Sequence, residues 1–454
     1  MRRVLIANRG EIAVRIARAC FDEGLESVLA CSTADKDTLA ARMVDQVVVI
    51  GPPSPGESYL SVERVVAAAL ASGCDALHPG YGFLSERPEL ARACEENDIV
   101  FIGPPAEVMI GSGDKLRARE VADKVGIPTG GGTVGLPSAG EAVALAEELD
   151  LYPCLIKASA GGGGRGMTIA RNPDELRKGF LRSSQEAERA FGDGTVYLER
   201  YVEHARHVEV QIIADTHGNV VHLGERDCST QRRYQKLIEE APAVGLPDSV
   251  RQGVRDSAVR LAQGLSYVGA GTVEFLVDTD RDEYVFLELN ARVQVEHPVT
   301  EAITGVDIVR EQLRVAAGEP LSVTQADVVL TGHSIECRIN AEDPRRDFAP
   351  SPGTISRWTP PQGTGVRVDT FVESGAAISP YYDSMVAKLI VHAEDRDAAV
   401  ALMLRALAKL DAGGLSTTVP FHEAVLSTEE FRAGPVTTTW VERHFLPTWL
   451  KDPA

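Results

Sequence analysis

Residues 286–297 most restrict how this chain can fold, because polar and apolar side chains alternate there. Successive side chains of an extended strand point to opposite faces, so a period of two predicts a strand with one polar face. The apolar positions are Leu287, Leu289, Ala291, Val293 and Val295. The polar positions are Glu288, Asn290, Arg292, Gln294 and Glu296. An ordinary half-exposed strand also alternates, but these polar groups can hold a metal ion, an anion and a general base together.

A second strand that carries a carboxylate precedes this stretch, at 272–277, and a turn at 278–283 connects the two. If the hairpin is symmetric about Arg281, Glu274 lies opposite Glu288 on the same face. Two facing carboxylates repel each other, and a divalent cation between them removes that cost. Oxygen ligands suit Mg²⁺ or Mn²⁺. A different register would leave both carboxylates in solvent.

The chain has 454 residues, more than one hydrophobic core usually serves, so several domains are expected. Strands and helices alternate over the first 103 residues, which predicts an open parallel sheet, and the first turn lacks the glycine spacing of dinucleotide-binding proteins. A Gly- and Pro-rich segment at 126–132 predicts a hinge before a small α/β unit at 133–202. Strand-rich sequence follows at 207–297 and 331–391, so the predicted fold class is α/β, α+β overall.

The formal net charge of −20 argues against nonspecific binding to nucleic acid or to an acidic membrane. An anionic substrate must therefore be held by a local cluster of Lys and Arg. The first ten residues contain too short an apolar run for a signal peptide, and no stretch is long and apolar enough to cross a bilayer. The seven cysteines lack Cys-x-x-Cys spacing and fit reduced thiols, so we expect a cytoplasmic protein.

A glycine-rich run at 161–166 follows a predicted strand at 153–158. Adjacent glycines leave backbone N–H groups uncovered, and these can hold phosphate oxygens, although a flexible surface loop has the same composition. Lys157 discriminates between the two interpretations, because a lysine in an apolar strand needs a partner and an anionic ligand would supply one. Lys115 is weaker support, since most lysines are simply solvated.

Other polar segments also admit a structural explanation. The loop 78–86 follows a strand end, where open sheets place sites, but it can equally be a rigid turn. The segment 224–236 is densely basic, which usually indicates a solvated loop, and its Cys228 is expected to be a buried structural thiol. His207 and His297 lack metal-ligand spacing, so we expect hydrogen-bonding roles for them.

A second alternating stretch, at 333–341, places four polar residues on one face: Ser334, Glu336, Arg338 and Asn340. An arginine in such a position could stabilise a developing oxyanion. It could also form a structural salt bridge with Glu336 or Asp343, and this stretch alone does not separate the two.

Together, six segments in this order resemble the biotin carboxylase family, within the ATP-grasp superfamily, and the match runs through about residues 2–445. The segments are 7–13, 78–86, 157–167, 225–229, 292–301 and 336–344. The resemblance implies a Rossmann-like N-terminal domain at 1–112, an ATP-grasp domain at 113–330 with a mobile lid at about 131–203, and a biotin carboxylase C-terminal domain with a mixed sheet at 331–446.

The resemblance also implies a reaction in which ATP, bicarbonate and biotin give ADP, phosphate and N1-carboxybiotin through carboxyphosphate. Glu296 would deprotonate bicarbonate, and Arg338 would stabilise the biotin enolate oxygen. The implied catalytic residues are Lys236, Arg292, Glu296 and Arg338. The implied ligands of Mg²⁺ or Mn²⁺ are Glu274, Glu288 and Asn290. The residues that would contact ATP, metal, bicarbonate or biotin are Lys115, Lys157, Gly163, Gly164, Glu199, Arg200, Tyr201, Val202, His207, Gln231, Tyr234, Lys236, Glu274, Glu288, Arg292, Gln294, the Val295 backbone and Arg338.

The chain lacks the biotin-acceptor sequence Met-Lys-Met, so biotin is expected to arrive on a separate biotin carboxyl carrier protein. We therefore expect one subunit of an acyl-CoA carboxylase, with acetyl-CoA as the expected substrate, that forms a homodimer and works with a carboxyltransferase subunit. Two positions depart from the family. Tyr234 stands where many relatives have His, which puts a nucleotide contact there in doubt, and Ala160 replaces a glycine in the loop, which would stiffen the lid slightly.

Two alternatives remain at this point. Another ATP-grasp carboxylate–amine ligase would share the metal site but needs no group like Arg338. A nucleotide-binding subunit without catalysis would need none of the polar groups that the resemblance assigns to bicarbonate, and the presence of Lys236, Arg292 and Glu296 argues against it.

Overall fold

The computed structural model describes residues 1–113, 115–130, 133, 135–158, 168–191 and 194–451. Five parallel strands form the N-terminal sheet in the order β3-β2-β1-β4-β5, which confirms the predicted open parallel sheet. Helices follow the strands because each connection must return to the same edge of a parallel sheet. The elements are β1 (Arg3–Ile6), α1 (Gly10–Asp22), β2 (Glu26–Ser32), α2 (Leu39–Met43), β3 (Gln46–Gly51), α3 (Val62–Ala71), β4 (Ala76–His78), α4 (Pro88–Glu95) and β5 (Val100–Phe101).

Next comes the small α/β unit. Its three antiparallel strands lie in the order β7-β6-β8. Two helices, α7 and α8, pack against this sheet and enclose a separate core that includes Ile156, Leu176 and Leu198. The elements from residue 106 to residue 200 are α5 (Ala106–Gly113), α6 (Lys115–Lys124), α7 (Ala139–Glu148), β6 (Cys154–Ala158), β7 (Thr168–Ala170), α8 (Pro173–Phe191) and β8 (Val196–Arg200).

An eight-stranded antiparallel sheet forms the centre of the molecule, in the order β13-β12-β9-β10-β11-β14-β21-β19. Its last three strands come from later in the chain: β14 (His333–Asn340), β21 (Met385–Ala393) and β19 (Val366–Thr370). Helices pack on this sheet, and every residue of β9 is buried although β9 carries His207, Glu209 and Gln211. A buried polar row of this kind needs partners from neighbouring strands. The elements here are β9 (Ala205–Ala214), β10 (Val220–Arg232), β11 (Gln235–Ala241), α9 (Asp248–Gly264), β12 (Gly269–Asp278), β13 (Glu283–Asn290), α10 (His297–Thr304) and α11 (Ile308–Ala316).

The hairpin β12–β13 has the predicted pairing of Glu274 with Glu288, but it is not symmetric about Arg281. The pairs nearer the turn run from Asp278–Glu283 to Phe275–Phe286, and a register shift between Phe275 and Glu274 brings Glu274 opposite Glu288. The strand predicted over 286–297 is wrong beyond Asn290, where β13 ends. Because β13 is the edge strand, the chain can leave the sheet there, and the backbone N–H of Ala291 donates to Glu86 Oε1 at 3.1 Å instead of to a strand. Residues 291–296 form a loop, and α10 begins at His297.

The remaining elements include the last three strands of the central sheet. The predicted helix Arg396–Leu410 ends at Leu407, and it is not the last helix of the chain. Within the described residues, no helix combines the length and apolar character needed to span a bilayer. The elements are β14 (His333–Asn340), β15 (Glu342–Asp343), β16 (Ala349–Pro350), β17 (Gly353–Thr354), β18 (Arg357–Thr359), β19 (Val366–Thr370), β20 (Ala377–Ile378), β21 (Met385–Ala393), α12 (Arg396–Leu407), β22 (Asp411–Gly413), α13 (Val419–Ser427), α14 (Glu429–Ala433), a π-helix (Val441–Phe445) and α15 (Leu446–Trp449).

Candidate active site

Lys236, on β11, lies at the centre of a buried cluster of charges. Its Nζ is 2.5 Å from Glu209 on β9, 3.0 Å from Glu274 on β12 and 2.6 Å from Glu296 at the start of α10. Burial lowers the pKa of Lys236, but the three carboxylates outweigh this and raise it well above its usual value. The ammonium group is therefore charged, and it holds together carboxylates that would otherwise repel one another.

Glu296 connects Lys236 to Arg338. The Nη2 of Arg338 donates to Glu296 Oε2 at 2.9 Å, and its Nε donates to Glu239 Oε1 at 2.6 Å. Among the described residues, the salt-bridge partners of Arg338 are thus not the two that the sequence suggested, Glu336 and Asp343. Burial raises the pKa of Glu296, but the charges of Lys236 and Arg338 outweigh it and hold the pKa well below the usual value.

The loop 291–296 is organised by Arg292. Its Nε donates to Glu86 Oε2 at 2.9 Å, its Nη1 donates to Gln294 Oε1 at 2.7 Å, and its Nη2 donates to Asn290 Oδ1 at 3.1 Å. Gln294 in turn donates from Nε2 to Glu274 Oε1 at 3.2 Å. The loop 78–86 therefore contributes to the site through Glu86, so it is more than a rigid turn. The polar residues converge although they do not share one strand face.

The hairpin β12–β13 carries Glu274, Glu288 and Asn290, the three residues that the resemblance implies as metal ligands. Glu274 and Glu288 are cross-strand neighbours, and Asn290 Nδ2 donates to Glu274 Oε1 at 2.9 Å. The two carboxylates suit Mg²⁺ or Mn²⁺, which prefer oxygen ligands, whereas Asn290 Oδ1 accepts from Arg292 Nη2 and would have to leave that guanidinium to bind a metal. His207 Nε2 lies 3.0 Å from Glu274 Oε2, so His207 also contacts this carboxylate. In the described part of the chain, ligand atoms of His207, Glu209 and Glu274 converge within 4.8 Å.

Lys157 has a protein partner, contrary to the expectation that a bound anion would supply it. Its Nζ forms an ion pair with Glu199, on β8, and Arg119 Nη1 is 2.5 Å from the same carboxylate. Arg200 ends β8, and Tyr201 and Val202 follow. Tyr201 accepts a hydrogen bond from Arg443 Nη2 at 3.5 Å.

For three residues that were predicted to bind nucleotide, the structure describes either nothing or only the backbone. Gly163 and Gly164 lie outside the described residues, as does Ala160. Lys115 begins α6, but its side chain is not among those described.

The hairpin β10–β11 carries Gln231 and Tyr234. Gln231 is buried and pairs in register with Lys236. Arg233 and Tyr234 form the two-residue turn, with φ of +48° and +65°, as type I′ hairpin turns require. Tyr234 is 73% exposed, so the structure places it at the rim and not in the buried cluster.

The sequence analysis missed several residues of the buried cluster. Arg226 is fully buried on β10, and its Nε donates to Glu209 Oε1 at 2.5 Å. Neither Glu209 nor Glu239 was predicted. Alternation in the apolar run of β9 was the available signal, because His207, Glu209 and Gln211 occupy every second position there.

Two predictions about single residues agree with the structure. Cys228 is buried, with Sγ 3.9 Å from Glu296 Oε1, and burial raises its thiol pKa well above the usual value, which suits a structural thiol. His297 Nδ1 lies 2.7 Å from the carbonyl oxygen of Gln294, and burial lowers its pKa, so a neutral hydrogen-bonding imidazole fits.

Sequence models of known families match almost the whole chain. The biotin carboxylase N-terminal domain matches 1–109, the carbamoyl-phosphate synthase L chain ATP-binding domain matches 114–324, and the biotin carboxylase C-terminal domain matches 336–443. Biotin carboxylase 1 of Bacillus subtilis is 49% identical over 445 residues, which are 98% of this chain and 99% of the relative. The biotin carboxylase of a Nostoc species is 50% identical over 441 residues, which are 97% of this chain and 98% of that protein.

A solved structure gives the same result. The biotin carboxylase domain dimer of 2-oxoglutarate carboxylase from Hydrogenobacter thermophilus, in complex with MgADP, ADP and bicarbonate, superimposes with a TM-score of 0.91 at 46% identity. That match covers 100% of this chain and 99% of the other. The fold and the charged site thus define an ATP-grasp enzyme. The chain belongs to the biotin carboxylase family and is an ATP-dependent carboxylase.

Proposed function

We propose that this chain carboxylates biotin with bicarbonate, using ATP, and forms ADP, phosphate and N1-carboxybiotin through carboxyphosphate. The observation that carries this proposal is the position of Glu296 between Lys236 and Arg338, at 2.6 and 2.9 Å. A carboxylate held by two cations is a candidate base, and the same cations can bind an anionic substrate. The H. thermophilus relative binds MgADP and bicarbonate, which supports these substrates for this chain.

In the first step, Lys236 and Arg292 would bind bicarbonate, with Gln294 and the Val295 backbone beside it. Glu296 would then take the bicarbonate proton while the oxygen attacks the γ-phosphate of ATP. The present contacts keep Glu296 ionised but weakly basic, because Lys236 and Arg338 depress its pKa. Each cation that turns from Glu296 to the substrate raises that pKa, so substrate binding itself would activate the base.

In the second step, carboxyphosphate would break down to CO₂ and phosphate, and the phosphate would take the N1 proton of biotin. Arg338 would stabilise the negative oxygen that develops on the biotin ureido group. Its two contacts suit this role, because Nε can stay on Glu239 while Nη2 turns from Glu296 to the substrate. Glu239 would thus keep the guanidinium in place during the change of partner.

For the nucleotide, we propose contacts from both sides of the hinge. Lys157 would exchange Glu199 for a phosphate, and His207 would lie close to the metal end. Mg²⁺ or Mn²⁺, held by Glu274, Glu288 and Asn290, would offset the charge on the phosphates. The other proposed nucleotide contacts are Lys115, Gly163, Gly164, Arg200, Tyr201, Val202, Gln231 and, at the exposed rim of the site, Tyr234.

We further propose domains at 1–112, 113–330 and 331–446, with a lid at about 131–203, and the ends of the three family matches support these limits. Biotin would arrive on a separate carrier protein, and a carboxyltransferase subunit would use the product. Acetyl-CoA is the acyl substrate that we propose, although two relatives are parts of pyruvate and 2-oxoglutarate carboxylases. A homodimer is supported by the dimer of the H. thermophilus relative. The seven free, buried cysteines suit a reducing cytoplasm.

The decisive experiment measures ADP release by the purified chain with and without bicarbonate and free biotin. We expect hydrolysis that depends on bicarbonate and is accelerated by biotin. Hydrolysis that is indifferent to both additives would refute the carboxylase proposal. No hydrolysis under any condition, with nucleotide still bound, would favour a protein that only binds nucleotide.

A further inference from the structure

The strand β21 contains a lysine that is completely buried. Lys388 has no exposed side-chain surface, and it lies in the run Met385–Ala393, whose other central residues are apolar. Lysine is rarely buried in this way, because transfer of its charge from water is costly unless carboxylates or carbonyls surround it. A methionine would fill the same volume without that cost.

Lys388 has a charged neighbour on each side in the sheet. Its cross-strand partners are Arg338 on β14 and Asp369 on β19, so it lies between a cation and a carboxylate. The pair with Arg338 destabilises the sheet, and the pair with Asp369 offsets that cost. Residues that break a local rule of stability in this way are concentrated at functional sites.

The ammonium group of Lys388 is held by three parts of the chain. Its Nζ donates to the carbonyl oxygen of Val295 at 2.8 Å, lies 3.1 Å from Glu11 Oε1 on α1, and lies 4.0 Å from Asp369 Oδ2 on β19. Tyr81, from the loop 78–86, donates to the same Glu11 carboxylate. Lys388 therefore joins the N-terminal sheet region and the central sheet to the loop 291–296.

The bond to Val295 is the contact that matters for the site. The Val295 carbonyl belongs to the peptide that leads into Glu296, so fixing it also sets where the Glu296 backbone lies. Residues 291–296 are outside the strand ladder, and hydrogen bonds from other segments must hold this loop in place. Lys388 supplies one of these hydrogen bonds at Val295, and Glu86 accepts another from Arg292.

We propose that Lys388 is a positioning residue that holds the Val295–Glu296 peptide in the conformation needed to bind and deprotonate bicarbonate. This inference rests on the proposed function, because it assigns Lys388 to the bicarbonate step of that reaction. Lys388 would contact neither ATP nor bicarbonate and would act through the loop 291–296. Its loss should therefore affect bicarbonate far more than ATP, because the Nζ of Lys388 contacts Val295, Glu11 and Asp369, which are not among the proposed nucleotide contacts.

The test compares Lys388→Met with Lys409→Met, which makes the same exchange at an exposed position. In steady-state ATP hydrolysis, Lys388→Met is expected to raise the KM for bicarbonate at least about tenfold, as loss of a charge-assisted hydrogen bond allows. The KM for ATP should stay within about twofold, since its contacts are unchanged. Lys409→Met should match the wild type in both. The thermal midpoint and the Kd for ADP show whether Lys388→Met is folded.

An unchanged bicarbonate KM in folded Lys388→Met would overturn the inference, and so would a parallel rise in both KM values, which indicates general loosening. If Lys388→Met does not fold, Glu11→Gln decides, because it removes one charge that holds Lys388 without changing volume. A rise in bicarbonate KM of about threefold in that variant supports the inference, and no change overturns it. If ATP hydrolysis by the wild type did not depend on bicarbonate, the proposed function would be overturned as well. The outcomes for the two variants concern the role of Lys388 alone.

Discussion

Replacement of Glu296 by Gln tests the proposed base most directly. The substitution keeps the size and shape of the side chain but removes its charge and its ability to accept a proton. Glu296 is fully buried and contacts Lys236 and Arg338, so an amide at this position still fills the same space. General-base catalysis contributes about 10²–10⁴-fold, so kcat should fall by that factor, or ~3–5 kcal/mol in the barrier.

The effect on stability should be smaller than for an ordinary broken ion pair. Leaving a buried cation unpaired costs about 3–5 kcal/mol. In Glu296→Gln, however, Lys236 keeps Glu209 and Glu274, and Arg338 keeps Glu239. Repulsion between Glu296 and Glu209, which together with burial raises the pKa of Glu209, is also removed. The variant should therefore fold, with a free energy of unfolding reduced by less than that range.

The assay measures bicarbonate-dependent ADP release, the Kd for ADP and the denaturant midpoint in parallel. Glu96→Gln, at an exposed position on the N-terminal domain, is the matched control and should behave as the wild type. The Kd for ADP should be unchanged in both variants. A kcat for Glu296→Gln within about threefold of wild type would refute the assignment of Glu296 as base, since even weak general-base catalysis contributes more.

Three further outcomes are expected. Burial raises the pKa of Glu240, but His333 and Arg396 outweigh it and lower the pKa to about 2. The ionised carboxylate therefore stabilises the folded state by about 3 kcal/mol above pH ~4.5, and this stabilisation is lost as pH falls toward ~2. Denaturant midpoints at pH 6 and pH 3 should therefore differ less in Glu240→Gln than in the wild type. Glu288→Gln should raise the Mg²⁺ concentration for half-maximal hydrolysis at least about tenfold, measured by metal titration; an unchanged requirement would remove Glu288 from the proposed metal site. Phe275→Ala, in the core behind the hairpin, should lower the free energy of unfolding by about 3–5 kcal/mol in urea, and a loss below about 1 kcal/mol would contradict its tight packing.

The hairpin at the site shows how far sequence patterns reach. The pairing of Glu274 with Glu288 was predicted, but the turn length alone does not give it. The pairs from Phe275–Phe286 to Asp278–Glu283 would place Glu274 opposite Leu287, and an irregularity between Phe275 and Glu274 shifts the register by one residue. The end of β13 at Asn290 cannot be predicted from the local pattern either. It depends on β13 being an edge strand and on a hydrogen bond from Ala291 to Glu86, about 200 residues away in sequence. The period-two alternation in 291–296 therefore picks out polar residues that meet in the charged site, although these residues form a loop and not a strand.

The partners of charged residues are equally non-local. A lysine in an apolar strand does need a counter-charge, but whether a ligand or the protein supplies it depends on which strand is adjacent. For Lys157 the adjacent strand brings Glu199. Likewise, Glu239 reaches Arg338 only because β11 and β14 are neighbours. Sequence identifies the charges that need partners, and the sheet order selects the partners.

The central sheet has a consequence for dividing this chain into parts. Its hydrogen bonds continue from β11 to β14, across the proposed boundary near residue 330, and Ile238 pairs there with Cys337. A truncation at that point would remove three strands from the sheet and leave β11 as an exposed edge, which favours aggregation. It would also separate Arg338 from Glu239 and Glu296. The region after residue 330 therefore cannot be exchanged independently of β11, with which β14 pairs. A functional hybrid protein should take both β11 and β14 from one parent.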